Sequence, residues 1–156
     1  MKLFCTLTSH EMRLLPRMCH ITAMVEKAVK VFPEIVIAEE PGWRNCIEGS
    51  TAIVNLAGTP ISTRWSSEIK KDIKKSRIRV TSKVVELINN SKDDACPNVL
   101  TSATAVGYYG MGDQIHVCRE WEVAALKVNE DVRLALIRIG VVLEKDSGAL
   151  GRLVGL

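Results

Sequence analysis

The sequence has few of the residues that mark metal-binding, disulfide-rich and membrane-spanning proteins. Its five cysteines and three histidines are scattered and show no C-x-x-C or other metal-ligand spacing, so we predict no metal site. An odd number of scattered cysteines favours a reducing compartment. No apolar run approaches the roughly 20 residues that cross a bilayer. The net charge of +3 is too small to indicate nucleic-acid binding.

What the sequence does contain is an alternation of β-branched runs and helical patterns. Strands are predicted at Ile35–Ala38, Ala52–Leu56, Asn98–Ser102 and Leu134–Leu143. Helices are predicted at Met12–Val31, Trp65–Asn90 and His116–Glu130, and a turn or short helix at Pro41–Ser50. This order predicts an α/β fold with a parallel sheet and helical crossovers.

The most informative segment is Val99–Gly110, which reads VLTSATAVGYYG. An apolar strand ends there in small and hydroxyl side chains, followed by a Gly-Tyr-Tyr-Gly turn. Because open parallel sheets bind ligands at the carboxyl ends of their strands, the hydroxyls are candidates for a site. A strand followed by a turn with two packed tyrosines is the structural alternative.

Three further motifs are more ambiguous. The run Asn55–Pro60 (NLAGTP) follows a predicted strand and allows close backbone approach to a flat ligand, although such junctions are common. The basic run Glu68–Arg79 is interpreted as a solvated helix face, with a phosphate-binding surface as the alternative and Arg77 as an exception if it turns inward. Cys118 and Glu122 share a helical face next to Trp121, which we interpret as packing.

In combination, several segments resemble the atypical extended short-chain dehydrogenase/reductases known as epimerase family proteins, in particular the plant giant chloroplast-type members. The similar segments are EGSTAIVNLAGTPISTRW, SRIRVTSKVVELI, VLTSATAVGYYG, CREWEVAALKV and LIRIGVVLEKDSGAL, between about Ile35 and Leu150. The resemblance implies a Rossmann-like doubly wound sheet and a function as an NAD(P)-dependent epimerase or oxidoreductase. It also implies a chloroplast location, with the cytoplasm as the alternative, and a role in plastid division at the inner envelope.

The same resemblance implies the site residues. Asn55, Leu56, Ala57 and Gly58 match the segment that lies along the nicotinamide side of NAD or NADP. Ser102, Thr104, Tyr108 and Tyr109 match the segment that faces nicotinamide and substrate, and either Ser102 or Thr104 would polarise a substrate carbonyl. Arg64 and Arg138 match positions near the substrate.

The sequence also departs from the family pattern. It has no T-G-x-x-G-x-x-G turn for the pyrophosphate, so residues 1–33 are left unassigned and residues 34–156 are predicted to form a partial NAD(P)-binding domain without the first phosphate-binding β-α unit. The Tyr-x-x-x-Lys pair is absent, and Glu122 near a tyrosine would disfavour its ionised form. A truncated form is therefore expected.

Two alternatives to an enzyme follow from these departures. The chain is either a non-catalytic plastid protein that acts by binding a partner, or an inactive fragment that exposes sheet edges and aggregates. The partners expected of the active form are a nicotinamide dinucleotide and an unidentified small molecule. We expect no nucleic-acid partner and no membrane-spanning segment. Peripheral contact with the plastid inner envelope is expected.

Overall fold

A parallel sheet runs through the part of the chain that the computed structural model describes, which is residues 3–6, 40–59, 61, 66–110 and 113–141. The strands are β1 (Leu3–Thr6), β2 (Ala52–Asn55), β3 (Val99–Ala105) and β4 (Arg133–Ile139). All neighbouring strands are parallel, and they lie in the order β1-β2-β3-β4. The α/β, Rossmann-like prediction is confirmed. The described strands follow one another without a reversal of order.

Three α-helices accompany the described strands. They are α1 (Trp43–Ile47), α2 (Ser67–Asn89) and α3 (Asp113–Ala125), and short 3-10 turns cover Glu40–Gly42, Asp93–Ala95 and Val106–Tyr109. Ser66 is the N-cap of the long helix, because its hydroxyl accepts a hydrogen bond from the Ile69 amide at 3.2 Å. None of the described helices is long and apolar enough to cross a membrane.

The core lies between one face of the sheet and α2. Ile53 on β2 and Leu100 on β3 are register partners and fully buried. They pack with Val80, Val84 and Ile88, which recur at helical spacing on α2. Burying a large aliphatic side chain contributes about 1.5–3 kcal/mol, so this cluster provides a large part of the stability. The predicted basic face of α2 lies outside the core, with Lys70, Lys71 and Lys75 exposed.

The structure differs from the predicted boundaries at several elements. β3 continues to Ala105 rather than ending at Ser102, because Ala103, Thr104 and Ala105 pair with β4. α3 begins at Asp113 and ends at Ala125, a shift toward the amino terminus relative to the prediction. β1 was not predicted, because four residues are too few to show a periodicity. The predicted helix at Met12–Val31 and strand at Ile35–Ala38 lie outside the described residues.

Candidate functional site

The carboxyl ends of β2, β3 and β4 bring four predicted site residues to one face of the sheet. Asn55 is the register partner of Ser102, and Thr104 is the register partner of Arg138. Because side chains alternate along a strand, Ser102 and Thr104 point to the same face, and this is the face that α2 and α3 cover. The positions that the sequence separates by tens of residues therefore form one continuous polar edge.

Asn55 is the centre of a buried hydrogen-bond network. Its Nδ2 donates to Thr81 Oγ1 at 2.8 Å and to Ser102 Oγ at 3.4 Å, and its Oδ1 accepts from the Ala57 amide at 3.2 Å. Trp121 Nε1 donates to the same Thr81 hydroxyl at 2.8 Å. We call these four side chains, Asn55, Thr81, Ser102 and Trp121, the inner network. It ties β2, β3, α2 and α3 together and fixes the turn at Ala57.

The loop after β2 is held by α2. The Thr59 amide donates to Ser76 Oγ at 3.1 Å, and Arg77 Nη1 donates to the Thr59 carbonyl oxygen at 3.0 Å. Gly58 lies directly against the guanidinium group of Arg77, where a β-carbon would come within 2.8 Å of Cζ. Arg77 therefore turns inward, as the sequence analysis allowed, and it also lies 5.4 Å from the Trp121 ring.

A second arginine organises the ends of β3 and β4. Arg138 Nε and Nη2 donate to the two carboxylate oxygens of Glu122 at 2.9 and 2.8 Å, and Nη1 donates to the Tyr109 hydroxyl. The Arg138 guanidinium also lies 3.7 Å from the centre of the Tyr108 ring. We call Glu122, Arg138, Tyr108 and Tyr109 the Arg138 cluster. Thr104 lies beside it, with a buried hydroxyl that forms no hydrogen bond of ordinary geometry among the described residues.

Ionisation at this edge follows from these contacts. The hydrogen bonds from Arg138 hold the pKa of Glu122 below its usual value, and the neighbouring Thr104 hydroxyl acts in the same direction, whereas burial opposes them. The same carboxylate raises the pKa of Arg138. Burial, followed by the charge of Glu122, raises the pKa of Cys118, which keeps this thiol protonated and unreactive at neutral pH.

The remaining predicted site residues are less engaged. Leu56 is 48% exposed, and Tyr109 is 71% exposed although its hydroxyl accepts from Arg138. Arg64 lies outside the described residues. Sequence reasoning missed Thr81 and Glu122 as part of the site, and it assigned Trp121 to packing alone. No signal in the sequence pointed to Glu122, because its contact with Arg138 depends on how α3 packs over β4.

The described residues fit the nicotinamide end of a dinucleotide. Ala57 is buried and small, so the backbone can approach a flat ring. The Thr59 hydroxyl is buried without a hydrogen-bond partner in the described part of the chain, and the buried Thr104 hydroxyl, beside Glu122, has none of ordinary geometry there. Buried polar atoms with unused hydrogen-bonding capacity are candidates for contact with a ligand. The sequence contains no glycine-rich turn for the pyrophosphate. The described part of the chain holds no group of metal-ligating side chains.

A parallel sheet with helical crossovers and polar carboxyl ends defines a Rossmann-like α/β protein. The chain belongs to the epimerase family. It is 59% identical, over 94% of its length, to the chloroplastic homologue of epimerase family protein SDR39U1 from Arabidopsis thaliana. It is 33% identical over 71% of its length to an epimerase family protein of Staphylococcus saprophyticus. The chain spans 46% and 42% of these relatives, less than half of each. No protein-family model matches it.

A solved structure supports the same assignment. The human epimerase family protein SDR39U1 (isoform 2), solved with NADPH, superposes on this chain with a TM-score of 0.60 at 28% identity. The match covers 67% of this chain and 41% of the human one. The Rossmann-like fold and the epimerase family predicted from the sequence are both confirmed.

Proposed function

We propose that this chain supplies the nicotinamide-side part of an NAD(P)-dependent epimerase or oxidoreductase, with NADPH as the preferred dinucleotide. The observation that carries the proposal is the polar edge at the carboxyl ends of β2, β3 and β4. There, the small residues Ala57 and Gly58 follow Asn55, whose side chain accepts from the Ala57 amide and donates to the buried hydroxyl of Ser102. The buried hydroxyl of Thr104 lies two residues further along β3. The human relative solved with NADPH supports the choice of dinucleotide.

Bound NADPH would supply a hydride, and this chain's residues would position it and polarise a carbonyl. Ala57 and Gly58 would border the nicotinamide, and the inner network would hold their turn in place. We assign the carbonyl-polarising role to Thr104 rather than Ser102. Ser102 Oγ is held within the inner network by Asn55, whereas Thr104 lies nearer the carboxyl end of β3 and its buried hydroxyl has no hydrogen bond of ordinary geometry among the described residues. Glu122 would hold Arg138 and the tyrosines at the rim of the site.

A thermal melt of the chain with NADPH and with NADH tests the proposal. A ligand at about 100 times its dissociation constant adds roughly 2.7 kcal/mol to the stability of a folded protein. We expect a cooperative transition that rises with NADPH more than with NADH. A cooperative transition that neither dinucleotide shifts would refute the cofactor assignment and favour a non-catalytic role.

The choice between the two hydroxyls is tested by Thr104→Val and Ser102→Ala. Removing an unpartnered hydroxyl costs little stability, so Thr104→Val should fold normally and bind NADPH. NADPH oxidation, measured with a panel of small aldehydes and ketones, should be lost in Thr104→Val and retained in part in Ser102→Ala. The reverse order would assign the role to Ser102.

A chloroplast location is part of the proposal, and it is supported by the name of the Arabidopsis relative. A fluorescent fusion of the chain should accumulate in plastids, and a cytoplasmic signal would contradict this.

The alternative is a non-catalytic role in plastid division, peripheral to the inner envelope. It requires that plastid number or size changes when the chain is removed, and an unchanged plastid population would exclude it.

A further inference from the structure

The guanidinium group of Arg77 is fixed by the main chain on one side. Nη1 donates to the carbonyl oxygens of Thr59 and Ile73, both at 3.0 Å. One of these belongs to the loop after β2 and the other to the preceding turn of α2. The two hydrogens on Nη1 are thereby used, and the plane of the guanidinium group is set before any ligand binds.

The opposite edge of the same group keeps its donors unused among the described residues. No hydrogen bond or ion pair with a described residue uses Nε or Nη2 of Arg77, although these atoms form the edge that binds carboxylates and phosphates through two parallel hydrogen bonds. Arg77 is half-buried, and this burial lowers its pKa. A partly buried cation without a paired anion is unfavourable, and an incoming anion would relieve that cost.

The surroundings of this edge suit a small anion. Because Gly58 has no side chain, the loop can lie against the guanidinium plane, where a β-carbon would come within 3.1 Å of both Nε and Nη2. The buried hydroxyl of Thr59 has no hydrogen-bond partner among the described residues and can donate to an oxyanion. Arg77 also lies beside Gly58, one of the residues assigned to the dinucleotide.

We propose that Arg77 and Thr59 form a binding site for an oxyanion, a phosphate or carboxylate group of the ligand that occupies the carboxyl edge of the sheet. The identity of that ligand rests on the proposed function. Arg138 shows the expected geometry in the same protein, because its Nε and Nη2 bind the Glu122 carboxylate at 2.9 and 2.8 Å. The oxyanion belongs either to the dinucleotide or to the second substrate.

Inorganic phosphate is the probe that tests the site directly. We expect phosphate, added at constant ionic strength against chloride, to shift the backbone amide signals of Gly58 and Thr59 saturably in a two-dimensional NMR spectrum of the intact chain. Arg77→Lys keeps the positive charge but loses the two parallel N–H donors of the guanidinium edge. Phosphate should therefore bind at least about tenfold more weakly. Arg79→Lys is the matched control, because Arg79 is exposed on the same helix and pairs with Glu40 at 2.7 Å. It should bind phosphate as the unmodified chain does.

Two results would overturn the proposal. The first is the absence of saturable shifts at Gly58 and Thr59 in the unmodified chain, a measurement that needs no variant to fold. The second is an Arg77→Lys variant that melts at a lower temperature but binds phosphate unchanged, which would make Arg77 a structural tie between α2 and the loop.

Competition with NADPH distinguishes the two sources of the oxyanion. If NADPH displaces phosphate and binds about tenfold more weakly to Arg77→Lys, the oxyanion belongs to the dinucleotide. If NADPH binds equally to both proteins and leaves phosphate in place, the oxyanion belongs to the second substrate. If phosphate binds at Arg77 but NADPH does not bind at all, the proposed function fails while the oxyanion site stands.

Discussion

Two arginines, Arg77 and Arg138, lie at the carboxyl edge of this sheet, and they differ in which edge of the guanidinium group the protein occupies. The Nε–Nη2 edge of Arg138 holds the buried carboxylate of Glu122, and Nη1 contacts Tyr109. Arg77 instead has Nη1 tied to two carbonyl oxygens, with the Nε–Nη2 edge open among the described residues. The comparison teaches that the same guanidinium group becomes structural or available for binding according to which of its edges the fold occupies.

The difference also separates the roles of the two arginines in the proposed function. Arg138 has its charge balanced within the protein, so it is suited to hold the tyrosine turn in place. Arg77 carries a charge that no described carboxylate balances, so it is suited to attract an anionic ligand group. The inner network contacts Arg77 through the Trp121 ring at 5.4 Å, and Trp121 directly precedes Glu122 in α3.

The largest effect should come from removing the common support with Asn55→Ala. Asn55 is fully buried, and its loss leaves the Ala57 amide without a partner and the Thr81 and Ser102 hydroxyls with fewer partners. We expect a loss of about 2–4 kcal/mol in the free energy of unfolding, measured by urea denaturation. Asn45→Ala on the exposed side of α1 is the control and should change stability by less than about 0.5 kcal/mol.

A smaller loss is expected for Thr81→Val, which keeps the shape of the side chain and removes its hydroxyl. That hydroxyl accepts from Asn55 and from Trp121. Its loss would leave the Trp121 donor unsatisfied and Asn55 Nδ2 with only its longer bond to Ser102. We expect destabilisation by about 2 kcal/mol in the same denaturation experiment. Thr101→Val, on the opposite face of β3, is the matched control. Equal stability of the two variants would show that the inner network contributes nothing.

Glu122→Gln should make Arg138 resemble Arg77. The pKa of Glu122 is lowered in the folded state, so the charged pair contributes stability above the ordinary carboxyl pKa and loses it as pH falls through the lowered value. The stability difference between the unmodified chain and Glu122→Gln should therefore be largest at pH 7 and should shrink below about pH 4. Arg138 is partly exposed, with 29% of its side-chain surface accessible, so the loss should be smaller than for a fully buried pair.

The same variant sharpens the comparison in a second way. With Glu122 neutral, the Nε–Nη2 edge of Arg138 has lost its anion, and a second phosphate should bind there. Phosphate titration followed at the Arg138 amide detects this. A pH-independent stability difference, or no phosphate response at Arg138, would contradict the role given to Glu122.

The smallest effect should come from Gly58→Ala. The added methyl group would lie 2.8 Å from Arg77 Cζ, and a flexible side chain can move away at a cost of about 1 kcal/mol. Because that movement displaces the open edge, phosphate affinity should fall although the positive charge is retained. Gly140→Ala introduces the same methyl group with nothing within 4 Å, so it should leave the melting temperature unchanged.

The sequence predicted the frame of the molecule better than the contacts within its site. The alternation of elements and the Ser66 cap were predictable because they depend on local periodicity and capping chemistry. The motif at Asn55 and the hydroxyls at Ser102 and Thr104 were predictable as positions at strand ends. The pairing of Glu122 with Arg138 was not, because it depends on how α3 packs over β4.

That pairing also changes the interpretation of Glu122. The sequence suggested an anion beside a tyrosine, whereas the structure places Arg138 in contact with both Glu122 and Tyr109. Similarly, the inward turn of Arg77 depends on the missing side chain at Gly58, which is distant in sequence. Such tertiary contacts leave no periodic signal in the chain.

The most direct test of the difference between the two arginines is a phosphate titration followed at their side-chain Nε–H signals, assigned with Arg77→Lys and Arg138→Lys. We expect the Arg77 signal to shift saturably and the Arg138 signal to stay in place, because Glu122 already occupies its edge. A shift at Arg138, or no shift at Arg77, would contradict the central claim that one edge is open to an anion and the other is closed.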